Sequence, residues 1–554
     1  MLRRRVFVLF ISLFLFSLSA VAQLSQGGVP YSFQQVQPLA VGQGRSIAKV
    51  EIARPNVDSL LNEDALADID MRKPFRFGEA VEVYYNFINS GTWTTLANGD
   101  RLWQLQIDAP QAVSMNFVCN EFYLPKGSTL FIYSTDKQHV LGAFTSANNN
   151  AQNVFATTII PSSSVVFEYY EPVAVQGQGR LNINSVVYGY RSLKRSPYGV
   201  SDWCMKNVNC EPFASNEMIQ KAKRSVVLIL HNGNTSLCTG TLVNNTAQDG
   251  TPYIYTANHC VQEEPRFAPE HIASWVFLFN YEAVCDASSP IVEDQSIQGA
   301  DSVARSFDSD FALLRLSQAP PPEFHAYYSG WSREETVSEP AYIIHHPRGD
   351  FTKVSTAQSG ISIIEDWSEY SDYEWDGKDS AFWKVYWEEG STQGGSSGGA
   401  LFNRNGSVVG NLYCGYAACN LNEEDIMGRF AYSWDGADTA SQRLKDWLDP
   451  LGEDPIALQG TESEEVGVVA PATKRAPMQI ALYPNPAKTW VTLFAVQGVE
   501  GECFIYTLDG RKVYQKNLPN ATTHTLSLAE LPAGTYVLVV CNAQQVFRSL
   551  LLKQ

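Results

Sequence analysis

Basic residues are in short supply here: 40 Lys and Arg stand against 58 Asp and Glu in 554 residues, a formal net charge of −18. A surface of that sign repels polyanions, so nucleic acid is not an expected partner, while basic substrates would be attracted. Helical periodicity is scarce too. Most apolar stretches are short, alternate with polar residues and stop at Gly, Pro or Asn, the pattern of strands. Beyond the first 22 residues no apolar run is long enough to cross a bilayer as a helix. Histidine is thin: His139 is the one histidine before residue 190, and that region has no His, Cys or carboxylate cluster at ligand spacing. No metal or other cofactor is expected.

What is present begins with an export signal. "MLRRR" is a basic leader, "VFVLFISLFLFSLS" an apolar core and Ala20-Val21-Ala22 a small-x-small cleavage site, so residues 1–22 are expected to be a signal peptide. The ten cysteines of an exported chain read first as disulfides, and Cys204, Cys210, Cys238, Cys260, Cys285, Cys414 and Cys419 crowd the middle segment, between residues 204 and 419. A chain this long exceeds one hydrophobic core. Residues 23–195 carry short alternating strands such as "DRLWQLQI" and "SSVVFEYYEP", expected to form a β-sandwich that ends at a basic processing site, Lys194-Arg195. Residues 196–458 alternate strands with Gly- and Asn-rich loops and close on an amphipathic helix around Leu444, Trp447 and Leu448, ended by Pro450. An acidic, then Pro/Ala-rich stretch at 459–478 reads as a linker, and 479–554 as a small all-β unit, a short β-sandwich.

The chemistry lies in the middle segment. "GGSSGGALF" at 394–402 brackets Ser396 and Ser397 with glycines, which allows a tight turn whose backbone N–H groups converge on one point, as acyl transfer requires. A serine hydroxyl needs a base. "IYTANHC" places His259 at the end of an apolar strand beside Cys260, and "DSDFALLRL" places Asp310 just before another. Taken singly, each is an ordinary structural residue; the order His, Asp, Ser in three such frames is the informative signal. Gly395-x-Ser397-x-Gly399 also fits a nucleophile turn of the hydrolase type, but that fold needs a histidine after the serine, and His524 in the terminal unit is the one that follows. His345 and His346 in "IIHHP" are adjacent on a strand, point oppositely and have no third ligand nearby, so they read as structural.

These frames resemble the chymotrypsin-like serine proteases and, within them, the bacterial lysyl endopeptidase family. The shared motifs include "GVSDWCMKNVNC", "CTGTLVNNTA", "TANHC", "SDFALLRL", "AYIIHHP", "GGSSGGALF", "EDIMGRF" and "RLKDWLDP", spread over 199–450. The resemblance implies an all-β protein with a chymotrypsin-like double β-barrel, His259 as general base, Asp310 as its orienting acid and Ser397 as nucleophile. The Gly395 and Ser397 N–H groups would form the oxyanion hole. It implies disulfides Cys204–Cys419, Cys210–Cys285 and Cys238–Cys260, and assigns Cys414 to none of them. Ser396 stands where trypsin-type enzymes carry an Asp that binds the new N-terminus, so activation must differ. Ser391, six residues before the nucleophile, is uncharged; the pocket acid of this family falls on Asp425, which would select lysine. Tyr413 departs from the family by replacing a histidine beside the pocket, with Trp367 as its candidate aromatic partner. A different specificity, or a binding role on a protease-like scaffold, is the alternative.

The last unit, with "YPNP" and "LPAGTYVL", resembles the C-terminal sorting domain of the type IX secretion system. This implies that system as a partner and delivery, through the periplasm, to the medium or the outer cell surface. Cys503 and Cys541 could bridge its strands. The N-terminal sandwich is then expected to be a pro-domain that inhibits and assists folding, and the substrates to be proteins or peptides.

Overall fold

The computed structural model describes residues 27–34, 47–68, 73–192, 200–261, 269–285, 287, 295–373, 377–463, 476–477, 480–507, 512–529, 531–541 and 545–554. The expected signal peptide, the Lys194-Arg195 site and most of the linker lie outside these residues. The chain divides into two compact units, 1–463 and 464–554.

Within the first unit the N-terminal region is a β-sandwich. One sheet holds Ala48–Glu51, Thr92–Thr95, Arg101–Asp108, Thr129–Ser134, Val140–Phe144 and Ser164–Glu171; the other holds Gly78–Asn86, Ser114–Tyr123, Phe155–Ala156 and Arg180–Gly189. Alternation in the sequence sets the inner faces. In "LWQLQI", Trp103, Leu105 and Ile107 are fully buried while Gln104 and Gln106 between them are partly exposed. Each such side chain contributes roughly 1.5–3 kcal/mol by leaving water. The one long helix here, Val57–Ala67, starts at Asn56, whose side chain accepts the Ser59 N–H.

Two further sheets make the middle region. The first joins Val226–His231, Ser236–Val243, Tyr253–Ala257, Val276–Phe279, Ser296–Gln298, Ala300–Ser306 and Phe311–Leu316. The second centres on Ala341–His345, Ala400–Phe402, Val408–Gly415, Asp425–Arg429 and Phe382–Val385. Both are antiparallel around these strands, and together they form the expected chymotrypsin-like pair of half-barrels. Strands of both contribute to one shared core, in which Tyr255, Phe311, Trp331, Ile344, Phe402 and Trp434 meet.

Three features tie these regions together. The sandwich and the first half-barrel share a core: Phe77, Phe117 and Phe167 cluster with Leu228, Leu230, Leu237 and Val276. A two-residue strand, Phe75–Arg76, crosses over to pair with Ser236–Leu237. The start of the expected linker is packed, because Thr461–Glu462 pairs with Tyr327–Tyr328 and Glu462 is bonded to Arg224 at 2.8 Å. The closing helix is a single turn, Lys445–Leu448 with Leu444 and Leu448 buried. Pro450 cannot extend it, and the Asp449 carboxylate accepts the N–H groups of Glu453 and Asp454 instead.

The second unit is one six-stranded sheet built on Trp490–Thr507, Lys512–Ser527, Gly534–Cys541 and Gln545–Lys553. Register shifts along the first two strands, between Phe494 and Val499 and beyond, bend them so that one sheet lines a core of Val491, Leu493, Ile505, Leu526, Leu538 and Leu551. Cys503 of this unit faces Val540, and Cys541 faces Glu502; the Cys541 side chain lies outside the described residues.

Candidate active site

Strand pairing brings His259 and Asp310 together. Tyr253–Ala257 and Phe311–Leu316 run antiparallel with Ala257 opposite Phe311, so the turn after one meets the residue before the other. The Asn258 N–H donates to the Asp310 carbonyl and the His259 N–H to Asp310 Oδ1, each at 2.9 Å. Asp310 Oδ2 lies 2.7 Å from His259 Nδ1. This arrangement fixes the ring and leaves Nε2, which is buried and makes no hydrogen bond. Asp310 adopts a left-handed backbone, φ +49°, and its carbonyl also accepts from Asn411 Nδ2 at 2.9 Å. Asn411 sits in the second sheet and accepts the Tyr255 hydroxyl at 2.7 Å, so it ties the two half-barrels at this point. Burial raises the Asp310 carboxyl above its usual range, and the contacts with His259 oppose that shift.

The Ser397 loop is held on both sides. Thr239 donates its N–H to the Ser397 carbonyl and its hydroxyl to the Gly395 carbonyl, both at 2.8 Å. The Gly398 N–H reaches the Leu412 carbonyl at 2.9 Å and the Gly399 N–H the Ser396 carbonyl at 2.8 Å. Gly395 lies at φ +95°, and a Cβ there would fall 2.9 Å from the His346 carbonyl and 3.0 Å from the Arg348 nitrogen. Gly398, at φ +79°, would collide with Thr256 Oγ1 at 2.1 Å. The result is a loop in which the N–H groups of Gly395 and Ser397 donate to no described group. Ser396 is fully buried, and its Oγ lies 2.8 Å from His345 Nδ1 and accepts the Gln393 N–H at 3.2 Å.

Around this loop the disulfides Cys204–Cys419, Cys210–Cys285 and Cys238–Cys260 are formed. The last one joins the residue after His259 to the residue before Thr239. Among the described residues one trio lies within metal-ligand spacing, His231, Cys238 and Cys260, but both sulfurs are in that disulfide and offer no thiolate. His345 and His346 are buried and kept neutral, with burial pulling them down to about 3 and about 4. Each ring makes one hydrogen bond through Nδ1, to Ser396 Oγ and to the Asp350 carbonyl.

Asp425 is fully buried at the start of its strand. Its Oδ2 accepts from Trp387 Nε1 and Thr392 Oγ1, both at 2.6 Å, and its Oδ1 from the Ala417 N–H at 3.3 Å. Burial pushes the carboxyl up to about 6 against the pull of these donors. Ser391 is buried nearby in the chain with an Oγ that makes no hydrogen bond. Tyr413 has its ring centre 6.1 Å from that of His259 and 5.3 Å from that of Phe382. Trp367 stacks on Phe382 at 4.5 Å and lies 6.5 Å from Tyr413. Four residues of this surrounding escaped the sequence reading: Trp387, Thr392, Asn411 and the His345 partner of Ser396. Thr392, five residues before Ser397 in the same loop, was the one with a local signal.

Residues 198–430 match the family model of the lysyl endopeptidase C-terminal domain, and residues 481–553 match that of the secretion system C-terminal sorting domain. A lysyl endopeptidase of Pseudomonas aeruginosa is 26% identical over 286 residues, which are 48% of this chain and 59% of that protein. The chain thus spans about three-fifths of that relative's length. Among solved structures, Rv3671c from M. tuberculosis in an inactive mutant form aligns at 16% identity and a TM-score of 0.27, over 40% of this chain and 90% of its own. A thermostable serine protease from an extremophilic microorganism aligns at 15% identity and 0.26, over 37% and 91%. Residues 198–430 are thus similar to the lysyl endopeptidase family, and residues 481–553 to the secretion-system sorting domains.

Proposed function

We propose that this chain is the precursor of an exported serine endopeptidase that cuts after lysine. The reading is supported by the His259–Asp310 bond and by a serine loop whose Ser397 carbonyl lies 3.9 Å from Cys260 Sγ, the residue after His259, and whose Gly395 and Ser397 N–H groups donate to no described group. Ser397 Oγ attacks the scissile carbonyl carbon while its proton passes to His259 Nε2. Asp310 holds the Nδ1–H and stabilises the imidazolium that forms. The oxyanion of the tetrahedral intermediate takes hydrogen bonds from the Gly395 and Ser397 N–H groups. Collapse breaks the C–N bond, and the imidazolium gives its proton to the leaving amine. Water then repeats the sequence on the acyl-enzyme, releasing the acid and the serine.

Lysine preference rests on Asp425. A buried carboxylate, held in place by Trp387 and Thr392, is reached by a narrow ammonium tail, whereas the planar fork of arginine needs more width and more acceptors. Ser391, at the position where trypsin carries its acid, supplies no charge. Residues 23–195 act as the pro-domain, and the terminal sheet is read by the type IX machinery for export. Treatment with a lysyl phosphonate diphenyl ester tests the site. One covalent adduct on the peptide containing Ser397, lost in Ser397→Ala and absent with the leucyl analogue, is the expected result. Labelling elsewhere, or equal labelling by both reagents, would refute the assignment.

A further inference from the structure

In the uncut chain the His259–Asp310 pair and the serine loop are already formed: Ser396 is fixed by His345, and the Gly395 and Ser397 amides donate to no described group. A precursor with these parts formed can be kept latent by what covers its cleft. Phe75–Arg76 lies in the right place. It pairs antiparallel with Ser236–Leu237, directly before Cys238 and Thr239, the residues that clasp the His259 and Ser397 segments. The Phe77 N–H extends the contact to the Thr235 carbonyl at 2.9 Å. Phe75 sits on the serine loop itself, with its Cβ 3.5 Å and its ring edge 3.6 Å from where a Cβ on Gly394 would stand.

We propose that residues 74–77 are a built-in inhibitory strand on the leaving-group side of the substrate cleft, with Phe75 as its plug. This inference rests on the protease reading above. The Gly395 and Ser397 amides mark the scissile carbonyl, and a substrate lysine turns towards Asp425 in the second sheet. The peptide after the scissile bond must then leave past the first sheet, where Phe75–Arg76 pairs with Ser236–Leu237. The lysine pocket is not used by the inhibitor, because Lys73 is exposed. Its bond to Pro74 is a tertiary amide whose nitrogen carries no hydrogen, a poor substrate for this chemistry. The strand is braced from the sandwich side. Arg191 stacks over the Phe75 ring at 3.8 Å and binds Asp68 at 2.6 Å, and Arg76 binds Asp64 at 2.8 Å.

The test uses the full chain, kept uncut by Lys194→Gln with Arg195→Gln and verified intact on gels, beside the processed enzyme. Two substrates are compared: an Nα-blocked lysine methyl ester, which has almost nothing after the scissile bond, and a ten-residue peptide with a central lysine. The uncut chain is expected to hydrolyse the ester within tenfold of the processed rate but the peptide at least a hundredfold more slowly. Phe75→Gly in the uncut chain should restore peptide cleavage at least tenfold and leave the ester rate unchanged, while Phe75→Leu stays blocked. Equal blocking of ester and peptide in the uncut chain would overturn the inference, a reading that needs no folded variant. Continued blocking in an intact Phe75→Gly chain that melts with Phe75→Leu would do the same. A processed enzyme that cuts neither substrate would instead overturn the protease reading, and this inference with it.

Discussion

Asp425→Asn separates the cost of the specificity group from its use. The carboxyl is fully buried and titrates near 6 in the folded chain, against about 3.9 for a free aspartate. A folded value above the unfolded one means that the fold prefers the neutral acid. Wild-type stability therefore falls as pH rises from about 4 to about 6. Above that the charged form carries a penalty of about 3 kcal/mol, because each pH unit between the unfolded and folded titration points is worth about 1.4 kcal/mol. Asparagine keeps a carbonyl oxygen for Trp387 and Thr392 and sheds the charge; its amide meets the Ala417 N–H, the longest of the three contacts at 3.3 Å. In a Ser397→Ala background, which prevents self-digestion, Asp425→Asn should melt higher at pH 8 by roughly 5–10 °C. That gain should vanish near pH 4. In the active background the same change should lower kcat/KM on lysyl peptides by about 10²–10³, the loss expected when a buried charge pair loses one member. A variant less stable at pH 8, or one that retains lysine cleavage, would refute the reasoning.

Other perturbations bear on the neighbouring contacts. Trp387→Phe removes a donor that holds the Asp425 carboxyl down, so the acid limb of the kcat/KM profile on lysyl substrates should move to higher pH by about one unit. An unmoved limb would mean that Asp425 is not the titrating group. Gly395→Ala meets the His346 carbonyl at 2.9 Å from a left-handed backbone, and should cost about 10²–10³ in kcat through a displaced oxyanion donor, with KM changed far less. Replacing both Cys238 and Cys260 with Ala opens a 22-residue loop and should lower stability by about 3 kcal/mol, read from denaturant midpoints.

The sequence made the strands legible where alternation ran for six or more residues, as in Arg101–Asp108, and it made the His259, Asp310 and Ser397 frames legible as local patterns. What joins those frames was not visible. The Ala257–Phe311 register, the Asn411 tie between the half-barrels and the Trp387 and Thr392 bonds to Asp425 all depend on which strand lies beside which. Phe75–Arg76 is too short to carry a period, and its one apolar residue, Phe75, reads equally well as part of the sandwich. The same holds for Thr461–Glu462, where an acidic stretch that looks like linker is anchored by Arg224, more than two hundred residues away. The hydrogen bond of His345 to Ser396 was hidden, because nothing local links a histidine on one strand to a loop fifty residues on.

The most direct test of the account is cleavage of matched peptides carrying Lys, Arg, Leu or Glu before one scissile bond, by the processed enzyme and by Ser397→Ala. Cleavage after Lys alone, abolished in Ser397→Ala, is the predicted result. Cleavage that survives the loss of Ser397 would contradict the catalytic assignment, and cleavage with another preference would contradict the role given to Asp425.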